Sequence, residues 1–241
     1  MRPNLDQMLR KLTLGHMAEI LPAELARARE RNVTYEDFLG RLLTAQFNHR
    51  QETALAWRIR KAKLPELWSL DSFPYDRQPG LDPRRIRELE TLDFISRAEN
   101  IVLVGPTGVG KTGLACGLLL QALQQGHRAL FIRAQDLFDD MYATVADLST
   151  RRFVTHLARI PVICIDELGY LNLKPEQTNI FFKLMEERYR RFPTIITTNL
   201  DFVEWGGLLN NPALVDALLS RLRHHCHTIR IDGPSLRGQQ G

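Results

Sequence analysis

Cysteine is scarce in this 241-residue chain, and the few that occur do not cluster. Cys116, Cys164 and Cys226 are too few and too dispersed for a disulfide framework or a CxxC pair. No apolar run approaches the ~18 residues that a membrane-spanning helix needs. Arg2, Asp6, Arg10 and Lys11 interrupt the first segment, which therefore lacks the apolar region of a secretion signal. These absences predict a cytoplasmic protein of a reducing compartment. Internal repeats and low-complexity tracts are missing too. With 12 prolines, 15 glycines, 44% apolar and 25% charged residues, the composition is that of a globular protein.

Charge is nearly balanced overall, at 32 basic and 28 acidic residues, but it is not evenly spread. Residues 1–68 carry twelve Lys/Arg against eight Asp/Glu, and residues 69–241 carry twenty of each. The surplus is therefore N-terminal, which points to nucleic acid or an anionic surface as a partner of that part.

The order of elements predicts two domains, 1–68 and 69–241. The first reads as helices, with Met8, Leu9, Leu12 and then Met17, Ile20, Leu21 at three- and four-residue steps. Thr34 caps a long helix that begins with Glu36 and Asp37 in its first turn and runs towards Pro65. Its later part sets Arg41, Arg50, Arg58, Arg60, Lys61 and Lys63 against Glu52 alone. That pattern suits either a solvated face or contact with nucleic-acid phosphates. Residues 70–83 read as a linker, and a short helix then starts at Pro83 with Asp82 as its cap.

Beyond the linker, apolar strands at 101–104, 128–133, 162–165, 194–198 and 226–231 alternate with helices at 112–125, 135–158, 175–191 and 211–223. Short, fully apolar strands in β-α units predict a parallel sheet covered on both faces.

The chemistry concentrates at the ends of three strands. Gly105, Pro106, Thr107, Gly108, Val109, Gly110, Lys111 and Thr112 fit the GxxxxGK[ST] pattern, with a strand before and a helix after. The glycines let successive N–H groups turn inward on phosphate oxygens, and the helix start adds the positive end of its dipole. Lys111 can reach the β- and γ-phosphates, and the Thr112 hydroxyl can ligate Mg²⁺. The strand ending at Asp166 and Glu167 follows Lys111 after one intervening strand. Asp166 would hold the magnesium and Glu167 would orient and deprotonate the attacking water. At the end of a further strand, Asn199 either holds that water or the γ-phosphate, or simply forms a turn. The segment Asn199–Leu200–Asp201 lacks the NKxD pattern that reads guanine, so ATP is the expected nucleotide.

With these parts assembled, the chain resembles the AAA+ ATPases and, within them, the IstB family of transposition helper proteins, relatives of the DnaC-type helicase loaders. The likeness runs through Met8–Leu12, Phe38–Ala45, Phe94–Ile95 and Glu99–Leu103 to the phosphate loop. It continues through Ile165–Tyr170, Ile195–Asn199 and Ala217–Leu222, leading to His224 and His225. The resemblance implies an AAA+ P-loop α/β fold, with a parallel sheet flanked by helices, a small all-α N-terminal domain and no C-terminal lid. It implies a sensor role for Asn199 and an arginine finger at Arg221, with Arg223 as the rival, reaching the ATP of a neighbouring subunit. It further implies an ATP- and Mg²⁺-dependent homo-oligomer that binds duplex DNA without strong sequence preference and works with a partner transposase. Arg50, Arg58, Arg60, Lys61 and Lys63 are then the candidate DNA contacts. A helicase loader, or a nucleotide-gated scaffold with little hydrolysis, is the alternative. The helices at 135–158 fall where initiator-type members insert an extra helix. Arg151 and Arg152 there meet DNA phosphate or form surface salt bridges. Arg237 matches a family Ser-Tyr-Arg tail with leucine in place of tyrosine.

Two other clusters read as structure. His224, His225, Cys226 and His227 are consecutive, so on a strand they alternate faces and cannot converge on one ion. Phe73 and Tyr75 either flank adenine or pack the linker.

Overall fold

A computed structural model describes residues 4–169, 171–209 and 212–237. Tyr170 and Asn211, singled out in the sequence, lie outside the described residues. The chain divides into two compact units, one up to Trp57 and one from Arg58 on, and the division falls inside a helix and not at 68/69.

The first unit is helical. Helix α1 (Leu5–Lys11) starts where the Asn4 side chain accepts from the Asp6 N–H. Helix α2 (Gly15–Arg31) stops at Asn32, whose φ of 48° leaves the helical region. Helix α3 (Tyr35–Ala62) starts as expected, with the Thr34 hydroxyl accepting from the Asp37 N–H at 3.1 Å. It ends at Lys63, which adopts φ 56°, two residues before Pro65. Leu9, Met17, Ala18, Leu21 and Leu42 form the core, with Leu14, Ile20 and Phe38 against it. Gln46 is buried and accepts from the Met17 N–H at 2.9 Å. The expected apolar face of α1 is narrower than its periodicity suggests. Leu9 is buried, whereas Met8 and Leu12 are exposed.

In the second unit, residues 70–83 are not a linker. They form two single 3₁₀ turns, Leu70–Ser72 and Tyr75–Arg77, and bury Leu70, Phe73, Gln78 and Leu81. Proline and aromatic density gave the segment a loop signature, but its apolar side chains are core. Helix α4 (Pro83–Glu90) follows, capped by Asp82 as expected, and then the short α5 (Asp93–Ser96).

Strands β1 (Asn100–Val104), β2 (Ala129–Arg133), β3 (Val162–Asp166), β4 (Thr194–Thr198) and β5 (Cys226–Arg230) form one parallel sheet in the order β2-β3-β4-β1-β5. Register pairs Val104 with Thr198 and Arg133 with Asp166, so these strand ends share one edge. Helix α6 (Lys111–Gln124) packs on the sheet after β1. Helices α7 (Ala134–Ala146) and α8 (Thr150–Ala158) link β2 to β3, and α9 (Pro175–Arg188) links β3 to β4. Helices α10 (Trp205–Leu209) and α11 (Pro212–His224) then lead to β5. Val102, Val104, Ile163, Ile165 and Ile196 join a core with the helices α7 to α11. By strand alternation Ile101, Leu103 and Cys164 point to the opposite face.

Helix α9 stops three residues short of the expected Arg191. Arg188 turns inward, 1% exposed, and Tyr189 leaves the helix with ψ 126°. Helix α10 was not legible from the sequence. Its five residues hold Trp205 fully buried.

Candidate functional site

The turn between β1 and α6 needs glycine at two positions. Gly108 and Gly110 adopt φ 89° and 98°, a region that side-chain-bearing residues enter only at a steric cost. Gly110 then serves as the N-cap of α6, leaving the first amides of that helix without intrahelical partners. Lys111 is buried at this start, and its Nζ donates to the carbonyls of Gly105 (2.7 Å) and Pro106 (2.8 Å). Burial lowers the pKa of its ammonium, against the opposing pull of Asp166 and Glu167.

Thr112, one residue on, donates its hydroxyl to Asp166 Oδ1 (3.0 Å) and Oδ2 (3.2 Å). The contact joins the loop to the end of β3. Strand β4 supplies a residue that sequence reasoning missed. The Thr197 hydroxyl donates to Asp166 Oδ1 at 2.6 Å and accepts from the Glu167 N–H at 2.8 Å. One side chain thus fixes both the carboxylate at 166 and the backbone at 167. Burial raises the pKa of Asp166, and the hydroxyls of Thr197 and Thr112 pull it back down. Glu167 adopts φ 59°, a left-handed conformation for a non-glycine residue, and its carboxylate is exposed. A Cβ at Gly169 would stand 2.3 Å from Asn199 Oδ1, so a glycine there makes room for the Asn199 side chain.

These groups line one cavity of about 760 Å³. Thr107, Gly108, Gly110, Lys111 and Thr112 come from the loop, and Asp166, Glu167 and Asn199 from the strand ends. Of the other loop residues, Val109 is buried, and a Cβ at Gly105 would stand 2.3 Å from the Ile231 carbonyl oxygen. Two further segments reach the cavity. Pro65, Glu66 and Trp68 line it, and so do Leu236 and Arg237, where the Leu236 N–H donates to the Gly108 carbonyl at 2.7 Å. Phe73 is buried under Gly110 and edge-on to Tyr75, and neither is among the described lining residues.

The remaining candidates lie elsewhere. Arg221 on α11 is not among the described lining residues of this cavity. Its guanidinium is 3.7 Å from a Glu186 oxygen and lies over Phe182. Arg223 lies over Phe202. Of the basic residues on α3 and beyond, Arg50 donates to Thr13 O and Oγ1, and Arg58 donates to the Leu123 carbonyl at the end of α6. Arg60, Lys61 and Lys63 are exposed. In the histidine-rich segment, His227 pairs with Glu99 at 2.9 Å, while His224 is 3.5 Å from the Tyr189 hydroxyl.

Chemically, the loop amides with Lys111 suit a polyphosphate. The Thr112 hydroxyl and the Asp166 carboxylate, in mutual contact, are hard oxygen donors that fit Mg²⁺. Among the described residues no helix is long and apolar enough to cross a membrane.

Comparison with known proteins agrees with this geometry. A family model described as IstB-like ATP binding protein matches residues 7–241. A protein named as an ATP-binding protein of insertion sequence IS21, from Pseudomonas aeruginosa, is 34% identical over 97% of this chain and 88% of its own length. Its counterpart for insertion sequence IS5376, from Geobacillus stearothermophilus, is 36% identical over 98% and 94%. Among solved structures, DnaI aligns at TM-score 0.59 and 18% identity over 68% of this chain and 90% of that one. DnaA of Aquifex aeolicus bound to AMPPCP aligns at TM-score 0.59 and 19% identity, over 70% and 51%. These last two likenesses establish the AAA+ fold. The chain belongs to the family of IstB-like ATP-binding proteins.

Proposed function

We propose that this protein hydrolyses ATP, assembles with ATP on duplex DNA and regulates a partner transposase in insertion-element transposition. The observation that carries hydrolysis is the Thr197 hydroxyl, which ties Asp166 and Glu167 together beside the phosphate loop. Loop amides and Lys111 bind the β- and γ-phosphates. Thr112 and Asp166 would hold Mg²⁺, which supplies charge neutralisation on those phosphates when bound. Glu167 accepts a proton from the water whose oxygen attacks the γ-phosphorus, and Asn199 orients that water. The bond from the γ-phosphorus to the bridging oxygen breaks, that oxygen leaves on ADP, and the water oxygen ends in inorganic phosphate. Arg221, which is not among the described lining residues of its own cavity, acts on the ATP of a neighbouring protomer, stabilising charge on the transferred group.

The insertion-sequence names of whole-length relatives support the transposition role. The exposed cations Arg60, Lys61 and Lys63 suit phosphate contact that gives affinity without reading sequence. Arg50 and Arg58 remain candidates for the same contact. The loader alternative is weaker, since the likeness to DnaI and DnaC is one of fold. Glu167→Gln tests the assignment. ATP binding should persist while steady-state hydrolysis falls by about 100-fold or more. Undiminished hydrolysis would remove Glu167 as the base.

A further inference from the structure

The cavity has two chemically different ends. Lys111, Asp166 and Glu167 mark the end where a γ-phosphate belongs, because the lysine of such a loop serves the β- and γ-phosphates. An α-phosphate would then sit by the first turn of α6, with the nucleoside beyond it. Gly113, Cys116, Pro65, Glu66 and Trp68 line the cavity beside that turn, and Phe131 and Arg133 of β2 line it as well.

Trp68 is held there tightly. A Cβ at Gly113 would stand 3.0 Å from its ring, so the indole lies directly on the helix backbone. One turn later, a Cβ at Gly117 would stand 2.6 Å from Leu70, which is buried. Glycines within a helix destabilise it relative to alanine. This helix carries two on one face, and both are matched by the segment Trp68–Leu70. The indole Nε1 donates to the Glu66 carboxylate, which fixes the ring orientation, and part of the ring stays exposed to the cavity.

We propose that Trp68 is the wall on which the base of the nucleotide stacks, with Glu66 as the residue that positions it. The inference rests on the phosphate loop holding a nucleoside triphosphate. It assigns the base to Trp68 and not to Phe73, whose ring centroid lies 6.4 Å from that of the indole, nor to Tyr75. Stacking on an indole tolerates any base. Trp68 therefore supplies affinity for nucleoside over bare polyphosphate, while the choice of adenine lies with other groups.

The test compares ATP, ADP and inorganic tripolyphosphate on the full chain and on Trp68→Leu and Trp68→Phe, by calorimetry and tryptophan emission. Trp57 and Trp205 supply the background emission. Wild-type emission should change with ATP and ADP and not with tripolyphosphate, and Trp68→Leu should abolish the change. Trp68→Leu should weaken ATP by about ten-fold, leave tripolyphosphate unchanged, and be largely rescued by phenylalanine. Equal ATP affinity in Trp68→Leu would overturn the proposal. Equal losses for ATP and tripolyphosphate would also overturn it, because the tryptophan would then only prop the loop. A wild-type chain that binds neither ligand would overturn the phosphate site itself, and the wall with it.

Discussion

Thr197 shows how much of the site depends on one hydroxyl. It donates to the Asp166 carboxylate and receives the Glu167 N–H, so a single side chain from β4 holds the carboxylate that ends β3 and the backbone of the next acid. The left-handed turn at Glu167 brings its amide to that hydroxyl, and the bond offsets part of the backbone cost. Valine in its place keeps the shape and removes the bonds. Thr197→Val should leave ATP binding within about two-fold and lower hydrolysis by about 10- to 100-fold, the usual range when a supporting hydrogen bond is lost. Parallel binding and single-turnover assays check this. Wild-type hydrolysis in Thr197→Val would show that the acids need no such support.

The lysine, the threonine and the two acids were readable from sequence because each sits in a fixed-spacing motif at a strand end. Thr197 was not, because its role depends on the register of β4 against β3, where Ile196 stands opposite Ile165. Strand partners are separated by intervening chain, so spacing carries no such information. Trp68 was hidden for a similar reason. Its site exists only where it meets Gly113, some forty residues later in the chain.

At the level of elements, the strands were legible to within a residue or two, most clearly β1 and β3, which are short apolar runs bounded by polar or turn residues. The misreadings arose where composition and burial part company. Residues 70–83 look like loop but bury Leu70 and Phe73, and α9 ends early because Arg188 is needed inside. Its guanidinium donates to Thr194 Oγ1 and to the carbonyls of Leu157, Ile160 and Pro193, joining the ends of α8 and β4. Burial pulls its pKa down to about 9. Arg188→Met keeps most of the volume but leaves three carbonyls without this donor. Each buried unsatisfied group costs ~1–3 kcal/mol, so a loss of about 3 kcal/mol is expected on thermal or urea unfolding. A change under about 1 kcal/mol would show that other donors replace it.

For the whole molecule, a finger at Arg221 acting in trans would make the active site a property of neighbouring protomers. The cavity contains the phosphate loop, both acids and Asn199, but its described lining lacks Arg221. Lys111→Ala and Arg221→Ala should each abolish hydrolysis. Mixed together, they should recover a fraction of it, because some interfaces then pair an intact loop with an intact finger. Co-assembly without recovery would place the finger elsewhere, with Arg223 next to be tested.

In the function proposed above, ATP drives this protein onto duplex DNA. Glu167→Gln isolates that step by holding ATP without turning it over. Its assembly should be measured with ATP or ADP on duplex and single-stranded DNA of equal length, over a range of salt concentrations. ATP-dependent oligomers that prefer duplex and weaken steeply as salt rises are expected. Assembly indifferent to nucleotide, or a preference for single strands, would contradict that function.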